Sequence, residues 1–173
     1  MPVKVPLNCH IRNEQSQDRG DVRKVNESAF ERPDEADLID RLREEGVVLV
    51  SLVAEVDSGI VGHILFSRMS IETERGDLPA VSLAPMAVAP RYQGRGVGIR
   101  LIRQGLAELR ARGERIVIVL GHKHYYPRFG FSSEKARYLS SPFPPDAFMA
   151  LELSEGALKD IRGAVRYPVA FGL

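Results

Sequence analysis

Residues 83–106 read "LAPMAVAPRYQGRGVGIRLIRQGL": a short apolar run, three glycines at 94, 96 and 98, and a long amphipathic run. Pro85 falls inside the apolar run, where it removes a ladder donor, so this strand is expected to bulge or to lie at a local opening of its sheet. Backbone groups near Met86 to Val88 are then free to meet a ligand. Beyond the strand, "QGRGVG" offers three residues without Cβ where the chain turns into a helix, so amides can approach a ligand closely and point at it together. Such a cradle favours a diphosphate. Arginines 91, 95, 100, 103, 110, 112 and 115 surround the junction against only Glu108 and Glu114. This local positive balance also suits phosphate.

Two familiar phosphate sites do not fit. A P-loop ends in Lys followed by Ser or Thr, which "GRGVGIR" lacks, and a dinucleotide fold needs GxGxxG after a first strand, where this chain has GxGxG after a later one. A plain strand-to-helix turn with solvated arginines is the remaining alternative on this stretch alone.

The flanking sequence supplies the frame. "DRGDVRKVNESAFERPDEADLIDRLREEG" sets Val22, Val25 and Ala29, then Leu38, Ile39 and Leu42, at helical spacing, with Pro33 between two helices and Gly46 closing the second. "VVLVSLVAEV" and "IVGHILFSRMSI" are β-rich runs joined by a hairpin signal at Asp57-Ser58-Gly59. "AVSLAPMAV" is a third run, and "GVGIRLIRQGLAELRARG" is a helix burying Val97, Leu101, Leu106 and Leu109 and ending at Gly113. "RIVIVLG" is apolar enough for the inside of a sheet, and "AFMALEL" resumes a two-residue period after the stiff loop "SSPFPPD". This order predicts an α/β fold, a mixed sheet with helices on both faces, in one domain over residues 1–173.

Composition narrows the function classes. The 173 residues are 44% hydrophobic, enough for a sizeable core, and Lys+Arg 24 against Asp+Glu 23 leaves a net charge of +1. No overall field draws nucleic acid or an anionic membrane, and no aromatic residues interleave with the arginines. The single cysteine, Cys9, excludes an internal disulfide framework and fits a reducing compartment. The N-terminus lacks the apolar core of a signal peptide and no segment reaches membrane-spanning length, so a cytoplasmic protein is expected.

"RYQGRGVG" matches Arg/Gln-x-x-Gly-x-Gly/Ala through Arg91, Gly94 and Gly96, and "YYPRFGF" matches Tyr-x-x-x-Gly-Phe through Tyr126, Gly130 and Phe131. In this order, with one strand between them, the two motifs resemble the GNAT superfamily of acyl-CoA-dependent N-acetyltransferases, particularly its small bacterial members. The resemblance implies a central, mostly antiparallel sheet with helices on both faces, whose bulged strand splays from the next to admit pantetheine. It implies acetyl-CoA as cosubstrate, with Met86, Ala87 and Val88 binding pantetheine through backbone groups. Gln93, Gly94, Arg95, Gly96, Val97 and Gly98 would cradle the diphosphate. Tyr126 occupies the position from which a phenol protonates the departing thiolate, while Tyr125, one residue out of register, is expected to pack or touch CoA. "GHKHYY" departs from the family by replacing the helix that carries an Asn and an Ala before the tyrosine.

Direct attack on a thioester needs a neutral amine, and an amine of pKa about 10.4 is protonated at pH 7. Ser82 through water, Glu72, Glu74, Glu31, His63, His122 and His124 are the candidate acceptors of that proton, and none is singled out. His63 in "VGHILFS" reads as a strand residue satisfied by a local hydrogen bond, and the histidines flanking Lys123 lack the spacing of a zinc site. No metal is expected. The reading is acetyl transfer from acetyl-CoA to a primary amine in a ternary complex, the acceptor being an amine-bearing small molecule or a protein amine. The alternative is a CoA-binding regulatory domain without turnover. No pattern fixes the oligomeric state, and a homodimer stays open.

Overall fold

The computed structural model describes residues 4–57 and 59–173. Its elements run β1 (His10–Asn13), α1 (Arg19–Phe30), α2 (Asp34–Glu45), β2 (Val48–Val56), β3 (Gly59–Thr73) and β4 (Gly76–Val88). They continue with α3 (Val97–Ala111), β5 (Ile116–Leu120), β6 (Leu139–Ser140), β7 (Phe148–Glu152) and β8 (Gly163–Arg166). The helices start and stop where the chain chemistry requires. Gly46, at φ 75°, takes the left-handed cap of α2 that a Cβ would strain. Of the hairpin signal at Asp57-Ser58-Gly59, Ser58 lies outside the described residues, and the strands pair antiparallel up to Val56↔Gly59.

Among the described residues eight strands form one sheet in the order β1-β2-β3-β4-β5-β7, with β8 on the far half of β3 and β6 beside it. Pairing is antiparallel except between β4 and β5 and between β6 and β8. β1, β6 and β8 are two to four residues long. They give too little periodicity to be read from sequence, and the expected element order lacked them.

Strand alternation sorts the core onto two faces. Leu52, Ala54, Ile64 and Phe66 pack with Val97, Leu101, Leu106 and Leu109 of α3. Val53 and Leu65 pack with Val22, Ile39 and Leu42 of α1 and α2 on the opposite face. Helices therefore cover both faces, as expected. α3 lies close because Gly105 has no side chain: a Cβ there would stand 2.2 Å from Phe66 Cε2. Burying Phe66 completely in this contact contributes about 1.5–3 kcal/mol. At the sheet edge, the Arg12 guanidinium reaches Asp18 at 2.7 Å and Glu55 at 3.0 Å, tying β1 to the start of α1.

The sheet opens at β4. Phe66 pairs with Leu83 but Ile64 pairs with Met86, so two residues of β4, Ala84 and Pro85, oppose the single Leu65 of β3 and the strand bulges there. The parallel pairing with β5 covers only Val81–Leu83 against Val117–Val119. Past Leu83, β4 stays on β3 and parts from β5. Pro85 explains both features, because it has no N–H to give.

Candidate active site at the split between β4 and β5

A cavity of about 450 Å³ occupies this opening, walled by Met86–Val88 from β4, by the glycine turn, by the first residues of α3, and by Tyr125, Arg128, Ala29 and Phe30. Only one edge of β4 is used by β3 here, so the other edge presents its backbone to the gap. After Val88 the chain makes a short 3-10 turn at Pro90–Tyr92, and Gln93 Nε2 donates to Val88 O at 2.9 Å, closing the loop on itself. Gly94 and Gly96 adopt φ 72° and 84°, and Gly96 is the N-cap of α3 without any side-chain cap. The first intrahelical bond runs from Arg100 N to Gly96 O at 3.2 Å, which leaves the amides of Val97, Gly98 and Ile99 without helical partners. Free amides and the positive end of the helix dipole point the same way, an arrangement that favours an anion.

Of the residues expected at a cofactor site, Met86, Ala87, Val88, Gln93, Gly94, Gly96, Val97 and Gly98 all line this one cavity. Arg95 does not. Its Nε donates to Val5 O at 3.0 Å, and its own carbonyl accepts from Leu7 N at 3.0 Å. Lys4 Nζ also donates to Gln93 O at 3.0 Å, and Arg100 bonds Cys9 O. Residues 4–9 thus brace the outside of the glycine turn, a role that sequence patterning missed because the contacts join segments some ninety positions apart.

The two tyrosines part company. Tyr125 lines the cavity, its hydroxyl 3.0 Å from where a Cβ on Gly98 would lie, with Arg128 Cζ 4.6 Å above its ring. Tyr126 is 8% exposed and belongs to the core cluster with Phe131, its ring edge-on to Tyr125 at 5.2 Å and tucked beneath Gly121 at the end of β5. It is not among the residues lining the cavity. Burial pushes the Tyr126 phenol up to about 12, and burial raises Tyr125 too, against the opposing charge of Arg128. Both are hydrogen-bond donors at neutral pH.

The candidate proton acceptors are scattered. Glu72 pairs with Arg166 at 2.8 Å and, with Glu74, sits at the hairpin end of β3 and β4, about 30 Å along the strand from Ala87. His122 and His124 are exposed, Ser82 is buried in the sheet, and Glu31 follows Phe30 at the cavity rim. His63 is fully buried, bonded to Ser51 and Asn26 on other elements. Among the described residues no group of three or more His, Cys, Asp or Glu is disposed to hold a metal ion, and no helix is long and apolar enough to cross a membrane.

A family model described as an acetyltransferase (GNAT) domain matches residues 10–133. The chain belongs to the GNAT family of acetyl-CoA-dependent N-acetyltransferases. It is 47% identical over 116 residues to the uncharacterized N-acetyltransferase YjhQ of Escherichia coli K12, covering 66% of this chain and 64% of YjhQ, just under two thirds of that relative. The crystal structure of the Escherichia coli GNAT family N-acetyltransferase YhbS in complex with CoA superposes with a TM-score of 0.89 at 32% identity, over 100% of this chain and 97% of that one. A Brucella melitensis GNAT family acetyltransferase in complex with acetyl-CoA superposes with a TM-score of 0.80 at 36% identity, over 95% and 98% of the two chains. Acetyl-CoA is the cosubstrate of this family, and the cavity at the split strand fits it: an open strand edge for amides, and free helix amides for phosphate.

Proposed function

We propose that the protein moves the acetyl group of acetyl-CoA to a primary amine by direct attack in a ternary complex. The observation that carries this reading is the continuity of the opened β4 edge with the uncapped N-terminus of α3 in one cavity. Backbone groups of Met86, Ala87 and Val88 hold the pantetheine amides. The turn from Gln93 to Gly98 holds the diphosphate through amides, with Arg95 adding positive charge from behind while it anchors the turn to Val5. Acetyl-CoA supplies an activated acyl group and a thiol leaving group of pKa about 8.5.

Tyr126 is assigned as the hydrogen-bond donor to that leaving thiolate. Its support is its place at the end of β5, where β4 has parted from it, together with a phenol that stays protonated. A full proton transfer from a phenol near 12 to a thiolate near 8.5 runs uphill, so Tyr126 stabilises the departing charge by donation and water completes the protonation. Tyr125 forms cavity wall and positions the arm of the cosubstrate.

The whole chain is assigned to one acetyltransferase domain, because β7 and β8, beyond the family match, complete the same sheet. The acceptor is an amine-bearing small molecule or protein amine, and the lone Cys9 fits a cytoplasmic location. A CoA-binding domain without turnover is the second reading, favoured by the lack of any carboxylate or imidazole among the residues lining the cavity. One experiment tests both. Acetyl-CoA should raise the melting temperature, with NAD and ATP at equal concentration doing much less. Release of CoA thiol with an amine panel should then exceed slow hydrolysis. Equal shifts with NAD remove the CoA reading, and binding without amine-dependent thiol release supports the regulatory one.

A further inference from the structure

Resting on the diphosphate cradle assigned above, we propose that Lys4 and Leu7 are positioning residues for acetyl-CoA: they grip the carbonyls of Gln93 and Arg95 from outside and so aim the amides of Gly94 and Gly96 at the diphosphate.

The contacts fall on alternate peptide units. Lys4 Nζ donates to Gln93 O and Leu7 N donates to Arg95 O, each at 3.0 Å. The units that own these carbonyls also carry the N–H groups of Gly94 and Gly96. Among the described residues the only cis bond is Ala84-Pro85, so both units are trans, and in a trans unit the N–H points opposite to the C=O. Carbonyls turned toward residues 4–7 therefore turn the two amides the other way. That way leads to the cavity, because Gly94 and Gly96 line it and residues 4–9 do not. Neither amide donates to a backbone carbonyl among the described residues. They add to the amides of Val97, Gly98 and Ile99 that α3 leaves without helical partners.

Glycine makes such a grip necessary. Gly94 at φ 72° and Gly96 at φ 84° have no Cβ to bar other conformations, and turning the preceding peptide over interconverts standard turn types at little cost. A flipped unit would show the diphosphate a carbonyl oxygen in place of an N–H, exchanging a charge-assisted bond for repulsion. The flip also breaks the bond to the donor outside. Each outside donor therefore holds its amide in the binding arrangement before the ligand arrives, and it polarises the peptide toward stronger donation.

The segment that supplies the donors is itself held. Pro6 fixes its own φ and biases Val5 toward extended backbone, so Val5 O and Leu7 N meet Arg95 together: Arg95 Nε donates to Val5 O at 3.0 Å while Leu7 N donates to Arg95 O. Leu7 packs against the core cluster that includes α3. Cys9 is buried in the same cluster, and Arg100 of α3 donates to its carbonyl and lies 3.3 Å from its Sγ. Lys4 is at the solvent side, exposed, with its Cδ 3.6 Å from where a Cβ on Gly94 would stand. Deleting its donor disturbs the turn and leaves the core intact.

The test compares wild type with Lys4→Met, which keeps an unbranched stem and deletes the donor. Calorimetry with acetyl-CoA should show affinity reduced about tenfold, while the free variant melts within about 2 °C of wild type. The loss should persist in about 1 M salt, where a charge is screened beyond roughly 3 Å. In ligand-free protein labelled with nitrogen-15 at glycine, relaxation dispersion should show microsecond-to-millisecond exchange at the Gly94 amide of the variant and none in wild type. Leu7→Pro, which lacks the other N–H, should place the exchange at Gly96 instead. Equal acetyl-CoA affinity in wild type and Lys4→Met overturns the proposal and leaves the cradle standing. So does a loss that vanishes at high salt, which makes Lys4 a remote charge, or a Gly94 amide that behaves alike in the two proteins. A wild type that binds no acetyl-CoA overturns the cradle, and the positioning role with it.

Discussion

Gly98→Ala separates cofactor binding from folding. Gly98 lies in the first turn of α3 and has ordinary helical backbone, so alanine is conformationally welcome and gains up to about 1 kcal/mol of helix propensity. The new methyl points into the cavity, 3.0 Å from Tyr125 Oη and 3.4 Å from Met86 Cε. Met86 can rotate away. Tyr125 cannot, because its ring is fixed edge-on by Tyr126 at 5.2 Å and Phe129 at 5.6 Å and covered by Arg128 at 4.6 Å. A few tenths of an ångström of strain offsets part of the propensity gain, so the free protein should melt within about 3 °C of wild type. The methyl also stands beside the amides assigned to the diphosphate. Losing even one charge-assisted contact of about 1.5–3 kcal/mol weakens binding roughly ten- to a hundredfold. Calorimetry with acetyl-CoA reads the affinity and a thermal melt reads the fold. An unchanged affinity in a folded variant refutes the cradle on α3.

Tyr126→Phe should lower kcat by about a hundredfold with acetyl-CoA affinity nearly unchanged, since donation to a leaving thiolate acts on the transition state, while Tyr125→Phe should change affinity more than kcat. The opposite pattern in steady-state kinetics would assign the donor to Tyr125. Asp18→Asn should destabilise the protein by about 1–3 kcal/mol at pH 7. Hydrogen bonds from Arg12, with that of the Gln15 amide and against the effect of burial, hold the Asp18 carboxyl below its usual range. Its contribution is therefore present above about pH 4 and lost as the pH falls through the folded value, so the gap between the urea melts of the two proteins should narrow as the carboxyl protonates.

The features that chain chemistry dictates locally were legible in the sequence. Pro85 announced the bulge and an opening of the sheet, which falls between β4 and β5, and the glycines announced the turn into α3, where Gly94 and Gly96 take left-handed backbone. Which of two adjacent tyrosines faces the cavity was not legible, because it depends on the 3-10 turn at Tyr126–Phe129 and on Gly121 making room for one ring. Arg95 carried the right charge for phosphate, yet its partner Val5 is distant in sequence and no pattern links them. The His63 hydrogen bonds come from residues on separate elements, each unremarkable alone, so a strand histidine with an unknown local partner was all the sequence could offer.

The most direct measurement is a crystal structure of the protein with acetyl-CoA. The account predicts the pantetheine arm in the opening between β4 and β5, bonded to the backbone of Met86–Val88, with the diphosphate on the amides of the Gln93–Gly98 turn and the sulfur within hydrogen-bonding reach of Tyr126. Cosubstrate seated elsewhere, or seated in the cavity with its sulfur remote from Tyr126 and with Ala87 turned away from it, would contradict the central claim.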